Sequence, residues 1–481
     1  MKYTAALSLL IILSQFIWGQ NIDEKFQSKH KTDAEKHVRA DYIFNSGGTT
    51  STIIPLKQTS ETNLTHSVFG YLPYWEYPDA LDNLQYELLS HIAIFDFSAS
   101  VDGSLVAPPN WPWDNLIISS HENGVKVIMT IVNFTGSQVH TLMTDTTVKS
   151  DLFANILDVL QQYNLDGVNI DFEGVAYSDR GIVLNNFMLE LTTFLQDENE
   201  FYEVSFAAPP VNWGGWDFPG LAASCDYLFI MGYNFYGPWS NTSGACAPLT
   251  GGAYNITNVI IDEYIDVVQN DPQKLILGVP YYGNRWITQS TMAYSNVIDH
   301  ISQPTYEIAM NNAEQDTLIW DGISQTSWSY EEINNSVYQT WFDNDSSLCL
   351  KYSLAENNLL KGVGMWALGY DGSRPELWDE IREHFASPVM TEEIDKLAYD
   401  INVYPVPTDG IFNIKPINID DSFYYRIIDI RGNEIIPKTY FRNNNSEIKV
   451  DMSSFDSGMY FIILTGLKYY NPTITKKILL Q

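Results

Sequence analysis

The stretch Leu165-Asp166-Gly167-Val168-Asn169-Ile170-Asp171-Phe172-Glu173 decides the fold. In an extended strand, successive side chains point to opposite faces. Val168, Ile170 and Phe172 therefore share one apolar face. Asn169, Asp171 and Glu173 share the other, with neighbours about 6–7 Å apart and Glu173 last, at the carboxyl end. Carboxylates inside a fold cost several kcal/mol unless they are paired or used, so a strand built this way points to chemistry. The alternative is an antiparallel strand with one wet face, where acids are harmless. Against it, Leu152, Ile156, Val159, Leu160 and Tyr163 recur just upstream at helical spacing. Helix, short turn, strand is the rhythm of a parallel α/β sheet.

Working outward, eight strand-like runs alternate with helical patterns: Ser67–Tyr71, His91–Phe97, Val125–Phe134, Gly167–Glu173, Tyr202–Ala208, Tyr227–Tyr233, Lys274–Pro280 and Gly362–Leu368. Helices are expected over Asn185–Gln196 and Ile256–Gln269, among others. Eight such units over roughly 300 residues fit a (β/α)8 TIM barrel of class α/β. The competing open, doubly wound sheet needs a Gly-rich phosphate loop after its first strand, and none follows here. The long gap between strands 7 and 8 predicts an insertion at about 287–360. It carries Trp320, Trp328 and Trp341, and a helix near Ser347–Leu359.

The flanks read differently. Residues 1–20 start basic, run apolar from about Ala5 to Trp18, and match a secretory signal peptide. That run is too short for a stable membrane span. Residues 21–65 are polar and mixed, and predict a loosely packed N-terminal lead-in. The barrel is assigned to 66–386 and a linker to 387–400. Residues 401–481 form short alternating runs punctuated by Gly410, Gly432 and Gly458, which predict a small C-terminal all-β sandwich.

Composition narrows the partners. The 481 residues carry 59 acidic and 26 basic side chains, a formal charge of −33. Such a surface repels nucleic acid and favours a neutral polymer over a polyanion. Aromatics reach 14%, with 13 Trp and 30 Tyr. Their flat faces suit sugar rings, although core packing accounts for most of them. Cys225, Cys246 and Cys349 do not make a disulfide framework. Spacing leaves a Cys225–Cys246 bond open, and no Cys/His cluster has metal-ligand spacing, so neither metal nor cofactor is expected.

The motif Asp166-Gly167-x-x-x-Asp171-x-Glu173 resembles the fourth-strand signature of glycoside hydrolase family 18. Other strand ends agree in order: Gly70-Tyr71 with Pro73 and Trp75, Met231-Gly232-Tyr233-Asn234, Gly278-Val279-Pro280-Tyr281-Tyr282-Gly283 with Trp286, and Gly364-Met365-Trp366. The resemblance spans about 67–385. It implies a secreted glycosidase acting beside N-acetylglucosamine, in chitin or chito-oligosaccharides, in which the substrate's own acetamido group serves as nucleophile. It assigns Glu173 as general acid, Asp171 as the group that holds the acetamido N–H, and Tyr233 as the hydroxyl that orients its carbonyl. Tyr71, Asn169, Met231, Asn234, Tyr282 and Trp366 are the expected substrate-binding residues. Taken singly, Met231 reads as packing, and Tyr71, Tyr282 and Trp366 as barrel-filling aromatics.

Some positions depart from the pattern. Asn169 replaces the middle Asp, Asn234 stands where many members have Asp, and Asn284 lies where a chitin-binding Arg is common. Thr130-Ile131-Val132-Asn133-Phe134 replaces the usual third-strand motif and is more like the branch of bacterial cell-wall and spore-cortex hydrolases. The alternatives are a peptidoglycan or N-glycan endo-β-N-acetylglucosaminidase of the same family, and a catalytically silent carbohydrate-binding protein. The C-terminal module, with Val403-Tyr404-Pro405-x-Pro407-x-x-Gly410, Asp429-Ile430-Arg431-Gly432 and Ser457-Gly458-Met459-Tyr460, resembles the sorting domain of type IX secretion substrates. That implies outer-membrane secretion machinery as a partner and a secreted or cell-surface location. A carbohydrate-binding sandwich is the alternative.

Overall fold

A computed structural model of the chain describes residues 28–37, 64–315, 318–386, 400–417, 423–429, 434–441, 447–466 and 474–481. The chain divides into two compact units, residues 1–388 and 389–481. The expected signal peptide and nearly all of the expected linker lie outside the described residues.

The first unit is the barrel. Its strands are β1 (Ser67–Pro73), β2 (His91–Ala99), β3 (Lys126–Asn133), β4 (Gly167–Phe172), β5 (Glu203–Ala208), β6 (Tyr227–Ile230), β7 (Leu275–Pro280) and β8 (Gly362–Trp366). Each pairs in parallel with the next, and β8 pairs with β1, so the sheet closes on itself. Closure leaves no strand edge open within the barrel. The strand interiors read as near-continuous apolar runs because helices cover the outside while side chains fill the inside. Phe229 of β6 occupies the centre. A Cβ at Gly278 or Gly364 would lie only 2.4 or 2.5 Å from its ring, so glycine is what admits the phenyl there. Tyr71 stacks edge-on above it, with ring centroids 4.9 Å apart.

Not every helix runs as the periodicity predicts. Ile256–Gln269 is broken into a helical turn at Ile256–Asn258, a wide turn over Val259–Glu263 and a short helix at Ile265–Asn270. Its β-branched run Ile256-Thr257, Val259-Ile260-Ile261 is stiff at χ1 and disfavours a regular helix.

The insertion is a five-stranded antiparallel sheet. Its spatial order is Val297–Ser302, Gly283–Thr288, Ser336–Phe342, Thr326–Ile333, Ile319–Asp321. It has its own core, in which Trp328 and Trp341 stack at 5.1 Å and Trp286 is fully buried. The helix Asp345–Asn357, expected inside the insertion, packs instead against β8 and the helix Glu376–Phe385. It is a barrel helix, so the boundary near 360 is too late. Its own sequence cannot reveal this, because a helix covering a barrel and one covering a small sheet carry the same apolar stripe.

At the junction, Lys351 pairs with Asp343, and both side chains are fully buried. Ser347 Oγ also donates to Asp343, at 2.6 Å. Removing one member of a buried pair strands the other charge. Asp343→Ala is therefore expected to lower unfolding stability by about 3–5 kcal/mol, measured by urea denaturation.

The second unit contains a three-stranded and a four-stranded antiparallel sheet. Ile401, Phe412, Ile414, Ile427, Ile462, Leu464 and Ile478 contribute to one shared core, which gives an all-β sandwich. Among the three cysteines, Cys225 and Cys246 are buried, and none is in a disulfide.

Candidate active site

The site lies at the carboxyl ends of the barrel strands, where parallel barrels hold their chemistry. On β4, Asn169 and Asp171 are fully buried and face the interior, as strand parity predicts. Glu173 falls just past the strand end, tied by its own N–H to the carbonyl of Asn133 at 3.1 Å. Gly174 follows with φ +71°, a left-handed turn that glycine adopts without strain.

Asn169 sits beneath the acids. It accepts from the Tyr71 hydroxyl at 2.8 Å and donates to Ser205 at 2.9 Å, so it acts as a spacer holding Tyr71 upright. Asp171 and Glu173 approach closely, with carboxylate oxygens within 4.8 Å of each other. Burial, then the charge of Asp96, pushes Asp171 well above the usual carboxylate range. Burial, then the charge of Asp171, raises Glu173 to about 8. Both shifts follow from the cost of placing like charges in a poorly solvated site. Tyr233 is held far above its ordinary value, chiefly by burial, and stays a neutral phenol.

The remaining expected residues surround this pair. Trp366, fully buried, ends β8 and forms the floor. Tyr282 lies across from Tyr233, ring centroids 6.2 Å apart. Met231 and Asn234 line a cavity of about 340 Å³ with Glu173, Tyr233, Trp213 and Trp216. Asn234 takes φ +68°, a left-handed position that Asn tolerates, and its amide oxygen is within 3.4 Å of Gln303 Nε2 from the inserted domain. Asn284 is engaged elsewhere, donating to the carbonyl of Tyr236.

Two features escape the sequence reading. The first is Asp96. Strand parity sends it outward, next to the inward Phe95, but the β2–β3 register shifts between Ile94 and Phe97. Such an irregularity re-aims side chains and brings a third acid near Asp171.

The second is the N-terminal segment, expected to be loosely packed. Its helix α1 (Lys29–Lys36) lies in the site, with Lys29, His30 and Asp33 buried. His30 Nδ1 is 2.7 Å from Asp171 Oδ2, and its Nε2 is 2.6 Å from the Tyr233 hydroxyl. The imidazole stacks on Trp366 with centroids 3.8 Å apart. Ser28, capping the helix, donates to Glu173. Asp33 accepts from Trp366 Nε1 at 3.1 Å and from Tyr370 at 3.0 Å. Lys29 pairs with Asp33 at 2.9 Å and stands 4.2 Å over the Tyr282 ring. Burial alone would raise Asp33, but the charge and hydrogen bond of Lys29 outweigh it and hold the group below its ordinary value. The segment reads as a polar tail because the side chains it buries, Lys29, His30 and Asp33, are themselves polar.

A closed eight-stranded barrel with a cavity and paired acids at its carboxyl rim has the architecture of an enzyme that works by acid–base chemistry. The model of the glycosyl hydrolases family 18 matches residues 48–371, and the chain belongs to that family. It is a glycosidase. Residues 402–481 match a secretion system C-terminal sorting domain, which implies export to the medium or the cell surface. The chain is 26% identical over 278 residues to the di-N-acetylchitobiase of Mus musculus, covering 52% of this chain and 72% of that one. It is 25% identical over 312 residues to the cortical fragment-lytic enzyme of Bacillus subtilis, covering 62% and 68%. Among solved structures, a family 18 chitinase from Cycas revoluta in complex with (GlcNAc)3 superposes with a TM-score of 0.60 at 17% identity, over 66% of this chain and 99% of that one.

Proposed function

We propose that this glycosidase hydrolyses β-1,4 bonds next to N-acetylglucosamine in chitin or chito-oligosaccharides, with the substrate's acetamido group as nucleophile and net retention. The observation that supports this best is the spacing of Asp171 and Tyr233. They face one another across the width of a single small polar ring, above Trp366, and Glu173 stands beside them. An acetamido group has the matching polarity: its N–H donates to a carboxylate and its carbonyl accepts from a phenol.

Glu173 transfers its proton to the glycosidic oxygen as the C1–O bond breaks. The acetamido carbonyl oxygen attacks C1 from the opposite face and closes an oxazolinium ring. Asp171 holds the N–H and offsets the positive charge, and Tyr233 fixes the carbonyl in line with C1. Water then opens the ring at C1, losing a proton to Glu173 and leaving the β-anomer. Mass spectrometry of products from chito-oligosaccharides, peptidoglycan and a glycoprotein tests the substrate. Release of N-acetylated oligomers from the first alone supports the proposal. Preferential cleavage of the second would favour the cell-wall reading, which the similarity to the Bacillus cortical enzyme keeps in play. The charge of −33 weighs against an anionic wall.

The raised pKa of Glu173 sets a pH dependence. An acid whose pKa moves up keeps its proton to higher pH, so the competent form persists through neutrality. It is lost as pH rises through about 8. The kcat/KM profile, which reports the free enzyme, is expected to show its alkaline fall there. Asp171→Asn removes one of the two causes of the shift, so the alkaline limb of the residual activity is expected to move to lower pH.

A further inference from the structure

We propose that Ser28–His37 is an intramolecular inhibitor that occupies the reacting sugar's place, His30 standing in for the acetamido group. The idea rests on the roles assigned above to Asp171 and Tyr233, and adds to them what Ser28, Lys29, Asp33 and His37 touch. In the tautomer with its hydrogen on Nδ1, the imidazole donates to Asp171 at 2.7 Å and accepts from Tyr233 at 2.6 Å. That is the donor–acceptor pattern of an amide N–H and carbonyl. The ring lies on Trp366 at van der Waals stacking distance, 3.8 Å between centroids, so no sugar ring fits between them. Ser28 engages Glu173, the proton donor. Segment and substrate therefore exclude one another.

The contact is specific rather than adventitious. Burying Lys29 and Asp33 costs several kcal/mol unless each charge finds partners, and here both do. Lys29 meets Asp33 and Gln303, and Asp33 meets Trp366 and Tyr370. At the far end of the helix, the ring of His37 stacks on Trp75 at 4.2 Å, and the Tyr74 hydroxyl donates to the His37 carbonyl at 2.6 Å. Tethering holds the segment at an effective concentration on the order of mM, so weak intrinsic affinity suffices. A site that is free 1% of the time binds its ligand about 100-fold more weakly.

The test inserts a site for a sequence-specific protease between Asn45 and Ser46 of the full chain. Cutting the folded protein and removing the released segment is expected to raise kcat/KM on a chromogenic chitobioside on the order of 10²-fold. The gain falls in KM and leaves kcat nearly unchanged, and the affinity for chitotriose by calorimetry rises in parallel. Adding back a synthetic Ser28–His37 peptide restores competitive inhibition. His30→Ala in the uncut chain moves KM in the same direction. If neither the cut chain nor His30→Ala shifts KM or chitotriose affinity, the proposal is overturned. Gained chitotriose affinity with no turnover supports the inhibitor and overturns the catalytic reading instead.

Discussion

Glu173→Gln is expected to lower kcat by about 10³–10⁴-fold while leaving chito-oligosaccharide affinity and thermal stability close to those of the parent. Gln keeps the volume and hydrogen-bonding shape of the carboxyl but has no proton to deliver. The loss lies at the upper end for general acid–base catalysis because Glu173 works twice, donating as the glycosidic bond breaks and accepting as water attacks. Stability is expected to hold or rise. Glu173 is raised from 4.5 to about 8 mainly by burial and by Asp171, so the carboxyl destabilises the folded parent increasingly as pH rises from 4.5 to about 8 and fully above that, and the amide does not. Parent and variant should be compared with α1 in the same state, seated or cut, since Ser28 bonds to Glu173. A variant with unchanged kcat would remove Glu173 from the mechanism.

The second large effect lies in the substrate. An oligomer with glucosamine instead of N-acetylglucosamine in the reacting subsite is expected to be cleaved at least about 10³-fold more slowly. The amide oxygen is held one ring closure from C1, and such intramolecular nucleophiles act at effective molarities of about 10⁵–10⁸ M. Among the described residues, the paired acids are not arranged to substitute. Asp171 and Glu173 lie within 4.8 Å of each other and on the same strand end, rather than flanking a sugar from opposite faces. Defined oligomers with one deacetylated residue, followed by product mass analysis, read this directly. Cuts should fall only where an acetylated residue supplies the new reducing end. Equal cutting on its glucosamine counterpart would require a protein nucleophile.

How much of this is legible in the chain varies with the physics behind each residue. Asn169 and Asp171 are readable because strand parity is strict where the ladder is regular, and β3–β4 pairing runs without a shift from Ile128 to Asn133. Asp96 is not readable, because the irregular β2–β3 ladder overrides the parity that would send it outward. Trp366 and Tyr282 look like filler by residue type alone, and only their place in an ordered series of strand ends marks them. The inserted strand Ser336–Phe342 carries aromatics on both faces, Tyr338 and Phe342 opposite Trp341, so its alternation is weak until Trp341 meets Trp328. The Ser28–His37 segment is the largest omission. Hydrophobic periodicity finds elements that bury apolar surface, whereas this helix buries Lys29, His30 and Asp33 against hydroxyls, carboxylates and an indole N–H.

The account rests on the sugar's own amide attacking C1 from the face opposite the leaving group, between Asp171 and Tyr233. Proton NMR of the anomeric region during the first minutes of chito-oligosaccharide hydrolysis, before mutarotation, tests that stereochemistry most directly. The β-anomer forming first is the predicted result, and an initial α-anomer would contradict it.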